Sequence, residues 1–259
     1  MKRFISFSGG VESTTMCLLY GKGATAIFAD TGSEHAKMYE RLDYVENMLK
    51  VYHDGDFKVE RIRASVEVKG SKLQSLTDYI LKSAFFPSPR QRFCTRMFKV
   101  QPIDYYLSQF DECELMIGLN VDEADNRTGN YLEGNNIIYR YPLVEDGYSR
   151  DDCYEVLKRY GLEPDFPAYM ERGGCKFCPY KSKKEYAAMV HFSLDEIEEV
   201  CLIEETIQDQ RSKYFRIRSN MPRMRDFIEI EKQNLFASKI RDYYSQSEKP
   251  QSCGVFCQR

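Results

Sequence analysis

The sequence predicts an α/β fold, a doubly wound parallel sheet of Rossmann-like type followed by a helical C-terminal region. Three observations carry that expectation. Five short runs, at residues 2–8, 24–30, 57–64, 114–120 and 136–143, read as strands, and the early ones alternate with segments of helical periodicity. Such alternation implies parallel pairing, because parallel neighbours need crossover connections. Three of the strands run out into FSGG, ADTG and IGLN, at the carboxyl ends where sheets of this kind bind ligands. From Lys181 onward the chain becomes charged and helical.

Taken in order, the first strand meets a glycine turn and then a helix from about Glu12 to Tyr20, with Val11, Met16, Leu18 and Leu19 on one face. ATAIFAD is the second strand and ends at Asp30; TGSEHAKMYERLDYVENML follows, its Met38, Leu42, Val45 and Leu49 recurring at helical spacing. FKVERIRA, ELMIGLN and NIIYRYPL supply the remaining strands. A helix over residues 150–161 is capped near Ser149 and stopped by glycine, and the proline-spaced EPDFPAYMERGG after it is loop. A boundary there divides residues 1–165 from residues 166–259, which hold a cysteine knuckle, the helices SKKEYAAMVHF, SLDEIEEVCLIEETIQDQ and RMRDFIEIEKQNLFASKIRDYY, and a cysteine-bearing tail.

The 259 residues suffice for a substantial core. With 37 basic against 40 acidic side chains, any nucleic-acid contact must be local rather than a basic coat. The opening MKRFISF mimics the entry to a signal peptide, but its apolar run is too short. No stretch is long enough to span a membrane, so a cytoplasmic protein is expected. In that compartment nine cysteines point to metal or redox roles rather than disulfides.

The stretch FSGGVESTT is the first candidate site. Gly9 and Gly10 let the backbone approach a phosphate closely, and the amides opening the next helix point at the anion. Ser8, Ser13 and Thr14 add neutral donors. Glu12 repels phosphate unless a divalent cation such as Mg2+ lies between. The plain alternative is a glycine turn with a serine cap, and the lysine of a Walker loop is missing.

These residues carry a resemblance. SGGVES is similar to the SGGxDS loop of the PP-loop ATP pyrophosphatases, with Glu12 where aspartate is usual. FADTGSE resembles the DTGxE segment of the branch that includes phosphoadenosine phosphosulfate reductases, the small subunit of sulfate adenylyltransferase and the sulfur-insertion enzyme of DNA phosphorothioation. CTRMFKVQP is similar to its CxxxxKxxP, GLNVDEADNR to its GxRxxES..R, and YPLVEDGYSRDDCYEVLKRYGLEP to its YP(L/I)xxWxxxDVxxYIxxxGLP, with GGCKFCP following. Gly147 stands where that pattern has tryptophan.

The resemblance implies the adenine nucleotide alpha hydrolase type of fold and ATP with Mg2+ as ligand. It assigns Ser8, Gly9, Gly10, Glu12, Ser13, Thr14, Asp30, Thr31, Gly118 and Arg127 to the nucleotide. It also implies either ATP cleavage for sulfur transfer or reduction of an adenylated sulfate. The intact double glycine favours the first. The tail SCGVFC partly matches the ECG(I/L)H of the reductases, which would make Cys253 a nucleophile and require a thioredoxin-like donor.

Cys175 and Cys178 form a C-x-x-C knuckle able to bring two thiolates to one metal. In the iron–sulfur members a tandem Cys-Cys joins such a knuckle; Cys94 matches the first of that pair and Thr95 the second. A [4Fe–4S] cluster on Cys94, Cys175 and Cys178, completed by Cys257 or Cys253 or left open for a sulfur donor, is the expectation, with zinc and a redox dithiol as alternatives. Cys17, Cys153 and Cys201 read as buried apolar residues. Arg92, Arg96 and Lys99 around Cys94 suit an anionic substrate, a phosphosulfate or a nucleic-acid backbone. RIRSNMPRMR reads either as a track for nucleic-acid phosphates or as a solvated face. His35, His53 and His191 are too scattered for a triad.

Overall fold

The computed structural model describes residues 1–124 and 136–233. The elements in chain order are β1 (Lys2–Ser6), α1 (Val11–Tyr20), β2 (Thr25–Asp30), α2 (Ala36–Tyr52), β3 (Lys58–Arg63), β4 (Val66–Val68), β5 (Ser71–Leu73), α3 (Leu76–Ser83), α4 (Phe93–Thr95), a π-helical turn (Arg96–Val100), α5 (Gln101–Leu107), β6 (Cys113–Ile117), α6 (Val121–Ala124), β7 (Ile137–Arg140), α7 (Pro142–Glu145), α8 (Arg150–Arg159), α9 (Lys183–Phe192), α10 (Leu194–Arg211) and α11 (Met224–Gln233).

Five strands form one parallel sheet in the order β3-β2-β1-β6-β7, and β4 pairs with β5 as a small antiparallel hairpin. The inner strands are buried on both faces, which is why they read as unbroken apolar runs. Phe4, Ile27 and Leu115 point to one side, against Ile103 and Leu107 of α5. Their neighbours Ile5, Phe28 and Met116 point to the other, into a larger cluster with Leu42 and Leu49 of α2 and with Ile197 and Ile228 of the C-terminal helices. That cluster joins residues on both sides of the expected boundary at 165.

The chain winds outward from β1 in both directions, so the loops after β1 and β6 leave the sheet side by side, at the point where such folds bind ligands. The register Ser6↔Ile117 sets the glycine loop next to Gly118.

Where expectation and structure differ, local chemistry accounts for it. NIIYRYPL stops being a strand at Arg140, because Pro142 cannot donate to a ladder but fits the first turn of α7. Gly147 adopts φ +76°, the left-handed region that favours glycine, and the turn closes with Tyr148 N donating to Leu143 O at 2.7 Å. The pattern's tryptophan position is thus a turn here. α2 starts at Ala36 rather than Thr31, because Asp30 Oδ1 accepts from Gly32 N at 2.8 Å and holds residues 30–32 in a turn. The helices between 76 and 107 and the β4–β5 hairpin were not anticipated. Within them Pro102 has no amide to offer, and the preceding turn widens so that Gln101 N reaches back to Arg96 O.

A buried pair ties α2 to α10. His35 Nδ1 donates to Glu196 Oε2 at 2.5 Å, and the same carboxylate accepts from Ala36 N at 2.8 Å and Ser193 Oγ at 2.8 Å. Burial alone would raise the Glu196 carboxyl, yet these bonds outweigh it and lower it to about 2. Burial lowers His35 too, reinforced by Lys181 and opposed by Glu196 and Glu34, so the ring is held neutral. Both shifts predict lower stability in acid. The Glu196 contribution is complete above the ordinary carboxylate range and is lost as pH falls toward 2, and the His35 loss begins below about pH 6.5. Urea denaturation across pH should show this slope, and Glu196→Gln should flatten its acid limb while costing about 1–3 kcal/mol at neutral pH.

Candidate nucleotide site

The loop between β1 and α1 is shaped by Gly9, at φ +73°. Gly10 then caps α1 in extended backbone with no side-chain hydrogen bond to the helix amides, which leaves its positive end available to an anion. Ser8 and Ser13 turn inward. Ser13 Oγ accepts from Ser8 N at 3.2 Å, lies 3.1 Å from Ser8 Oγ and donates to Gly10 O at 3.4 Å. They act in this structure as internal braces of the loop.

Glu12 is buried in the first turn of α1. Its Oε1 accepts from Asn120 Nδ2 at 3.1 Å and from Arg150 Nη1; Oε2 accepts no hydrogen bond among the described residues. Gly118, at the end of β6, lies so close to the loop that a Cβ there would stand 3.1 Å from Ser13 N and 3.2 Å from Glu12 C. A side chain there would need the opening turn of α1 to give by a few tenths of an ångström. The donor set suits magnesium, which is commonly held by one carboxylate and substrate phosphates, and Glu12 is the residue that would hold it.

Arg41, on α2, fastens the loop from the other side. Its Nε donates to Gly9 O at 2.7 Å, and its terminal nitrogens donate to Leu162 O at 2.9 Å, Glu163 O at 3.2 Å and Thr14 Oγ1 at 3.5 Å. Burial lowers its guanidinium to about 10, so it stays charged at neutral pH. Asp30 is fully engaged by Tyr39, Gly32 and Arg63. Burial works to raise its carboxyl, but those partners outweigh it and lower it. Thr31 faces the knuckle: Oγ1 donates to Glu34 Oε1 at 3.0 Å and lies 3.4 Å from Cys175 Sγ.

The knuckle docks on this segment edge to edge. Glu34 and Cys175 form an antiparallel bridge, Lys176 N donates to Ser33 O at 3.0 Å and His35 N to Gly174 O at 3.4 Å. Cys175 Sγ donates to Glu34 Oε1 at 3.7 Å, and Lys99 Nζ is 3.6 Å from the same oxygen. Burial, then the Glu34 charge, push the Cys175 thiol well up. Among the described residues no group of three or more His, Cys, Asp or Glu side chains is placed to hold an ion. Cys175 is instead turned toward Thr31 and Glu34. Cys253, Cys257 and Arg127 lie outside the described residues.

Of the expected anion-binding residues, Lys99 enters the crevice through Glu34, Arg92 lies 5.9 Å from the Tyr180 ring and Arg96 is exposed. Arg172 approaches the same ring at 5.8 Å. The RIRSNMPRMR arginines are largely engaged within the fold. Arg216 donates to Met221 O, Arg218 to Lys181 O, and Arg225 pairs with Glu198 and Glu205. Cys17, Cys153 and Cys201 are buried as expected.

Arg41, Asn120 and Arg150 were not anticipated. Two of them left a signal. Arg41 sits three residues after Met38 and four before Val45, a cation on an apolar stripe. Arg150 opens α8, where a cation opposes the helix dipole.

The phosphoadenosine phosphosulfate reductase domain matches residues 2–136, more than half of the chain. The chain belongs to that family. It is accordingly a nucleotide-binding enzyme of the PP-loop class. A further relative is an uncharacterized 37.8 kDa protein in the gpa 5′ region of Escherichia phage 186, 26% identical over 238 residues, covering 71% of this chain and 68% of that protein. No helix among the described residues is long and apolar enough to cross a membrane.

Proposed function

We propose that this phosphoadenosine phosphosulfate reductase-family chain cleaves ATP at its α-phosphorus to adenylate a substrate oxygen, preparing it for replacement by sulfur. The observation that carries the reading is the complete PP-loop: paired glycines with Gly9 at φ +73°, an uncapped α1 N-terminus, and the Glu12 carboxylate in its first turn. Such a loop suits a departing pyrophosphate, which a dedicated reductase does not produce. An oxygen of the substrate, a nucleic acid or a small molecule, attacks the α-phosphorus and pyrophosphate leaves. The terminal sulfur of a persulfide-class donor then attacks the activated centre, the oxygen departs on AMP, and a second thiol of the donor cleaves the resulting S–S bond, leaving sulfur on the substrate and a disulfide on the donor. Bound magnesium would offset the charge that builds on the leaving phosphates.

This chain's contributions follow from its geometry. Helix α1 presents amides to the phosphates, Glu12 would hold the metal, and Arg41 keeps the loop in shape through Gly9 O. The reductase reading, with Cys253 attacking adenylyl sulfate, and that of a nucleotide-binding regulator without turnover are the competitors. Incubation with Mg·ATP and candidate acceptors should release pyrophosphate. Sulfite release from adenylyl sulfate without pyrophosphate would select the reductase, and tight binding without turnover would select the regulator.

A further inference from the structure

Glu12 places a negative charge at the mouth of a loop built for a polyanion, and the chain answers that charge with a cation of its own. Arg150 Nη1 donates to Glu12 Oε1, the oxygen that Asn120 also reaches. The Arg150 backbone is fixed independently, its amide donating to Asp122 Oδ2 at 2.9 Å. Its guanidinium lies 5.6 Å from the Tyr154 ring, with its side chain 21% exposed, and its Nε is buried without a hydrogen-bond partner.

Two facts make this pair a device rather than a static brace. A guanidinium offers five donors in a planar fork that fits two phosphate oxygens at once, and here one nitrogen meets Glu12 while Nε meets nothing. The cation also opens a helix against the dipole, a position that is costly without an anion beside it. An incoming triphosphate supplies a stronger anion than Glu12, and magnesium supplies Glu12 with a stronger cation than Arg150.

We propose that Arg150 is the exchangeable counter-ion of the PP-loop: it neutralises Glu12 while no nucleotide is bound, and passes to the phosphates when Mg·ATP arrives, leaving Glu12 to the metal. This rests on the nucleotide-binding reading of the loop. It makes Arg150 a binding residue for pyrophosphate contributed by α8, outside the glycine loop itself.

The test uses the full chain and isothermal titration with inorganic pyrophosphate, with and without Mg2+, beside titration with Mg·ATP. Arg150→Met should weaken metal-free pyrophosphate binding by about tenfold or more, the loss of a charge-assisted bond. It should also lower the magnesium concentration that half-saturates ATP binding, because Glu12 no longer has a competing partner. Arg150→Lys should fall between. Glu12→Gln frees Arg150 without removing it, so metal-free pyrophosphate binding should tighten, and this arm stands even if Arg150→Met fails to fold. Unchanged pyrophosphate affinity in the Arg150→Met and Glu12→Gln proteins, with Mg·ATP still bound by the parent, overturns the exchange while leaving the nucleotide reading intact. A parent that binds neither pyrophosphate nor Mg·ATP overturns both.

Discussion

Glu12→Gln is expected to lower pyrophosphate release from ATP by about a hundredfold or more, the scale seen when one electrostatic contributor to a transition state is removed. The side chain keeps its volume and can still accept from Asn120, so the loop should keep its shape. What disappears is the charge that would hold the metal and balance Arg150. Thermal unfolding should register about 1–3 kcal/mol for the cation left without a counter-charge, which separates a folding defect from a catalytic one. Glu12→Asp keeps the carboxylate and matches the aspartate usual in this loop. It should regain most of the activity that glutamine loses, even though its shorter stem draws it back from Asn120 and Arg150.

Gly118→Val is expected to weaken ATP binding by about a hundredfold, equivalent to about 2.7 kcal/mol. The cause is steric. A Cβ at this site meets Ser13 N at 3.1 Å, Glu12 C at 3.2 Å and Glu12 Cβ at 3.3 Å, two of them main-chain atoms in the opening turn of α1 that cannot swing aside. The branched methyls of valine would push that turn away from its phosphate-facing position. Gly118→Ala should show a smaller effect of the same kind. At Gly9 the corresponding obstacle is the flexible end of Met38, at 2.1 Å, which can move, so substitution there acts mainly through the positive φ. Calorimetric titration with Mg·ATP, alongside thermal unfolding, measures each.

How much of this could be read from the residues depends on how local each feature is. The sheet was legible because Phe4–Ile5, Ile27–Phe28 and Leu115–Met116 fill both faces, and a strand buried twice leaves an apolar run. The glycine loop was legible because its glycines, hydroxyls and carboxylate are contiguous. The hairpin β4–β5 and helix α3 are short and lean on tertiary contacts, so their periodicity is too brief to stand out. The partners of Glu12 lie 108 and 138 residues away, and that of His35 lies 161 away. No local pattern encodes such distances. The knuckle's turn was visible in C-x-x-C, whereas the direction of the Cys175 thiol depends on Thr31 and Glu34, brought in by the segment after β2. The metal centre expected from the cysteine spacing is therefore not visible among the described residues.

The docking of the knuckle on residues 33–35 has a mechanical consequence. Ser33, Glu34 and His35 are joined by main-chain bonds to Gly174, Cys175 and Lys176, and the same three residues lead directly into the helix whose Arg41 grips the PP-loop. Those bonds and helix α2 connect Cys175 to Gly9 without an intervening loop, so displacing the knuckle should be felt at the glycine loop. The thiol and the glycine loop are seated on one continuous piece of chain.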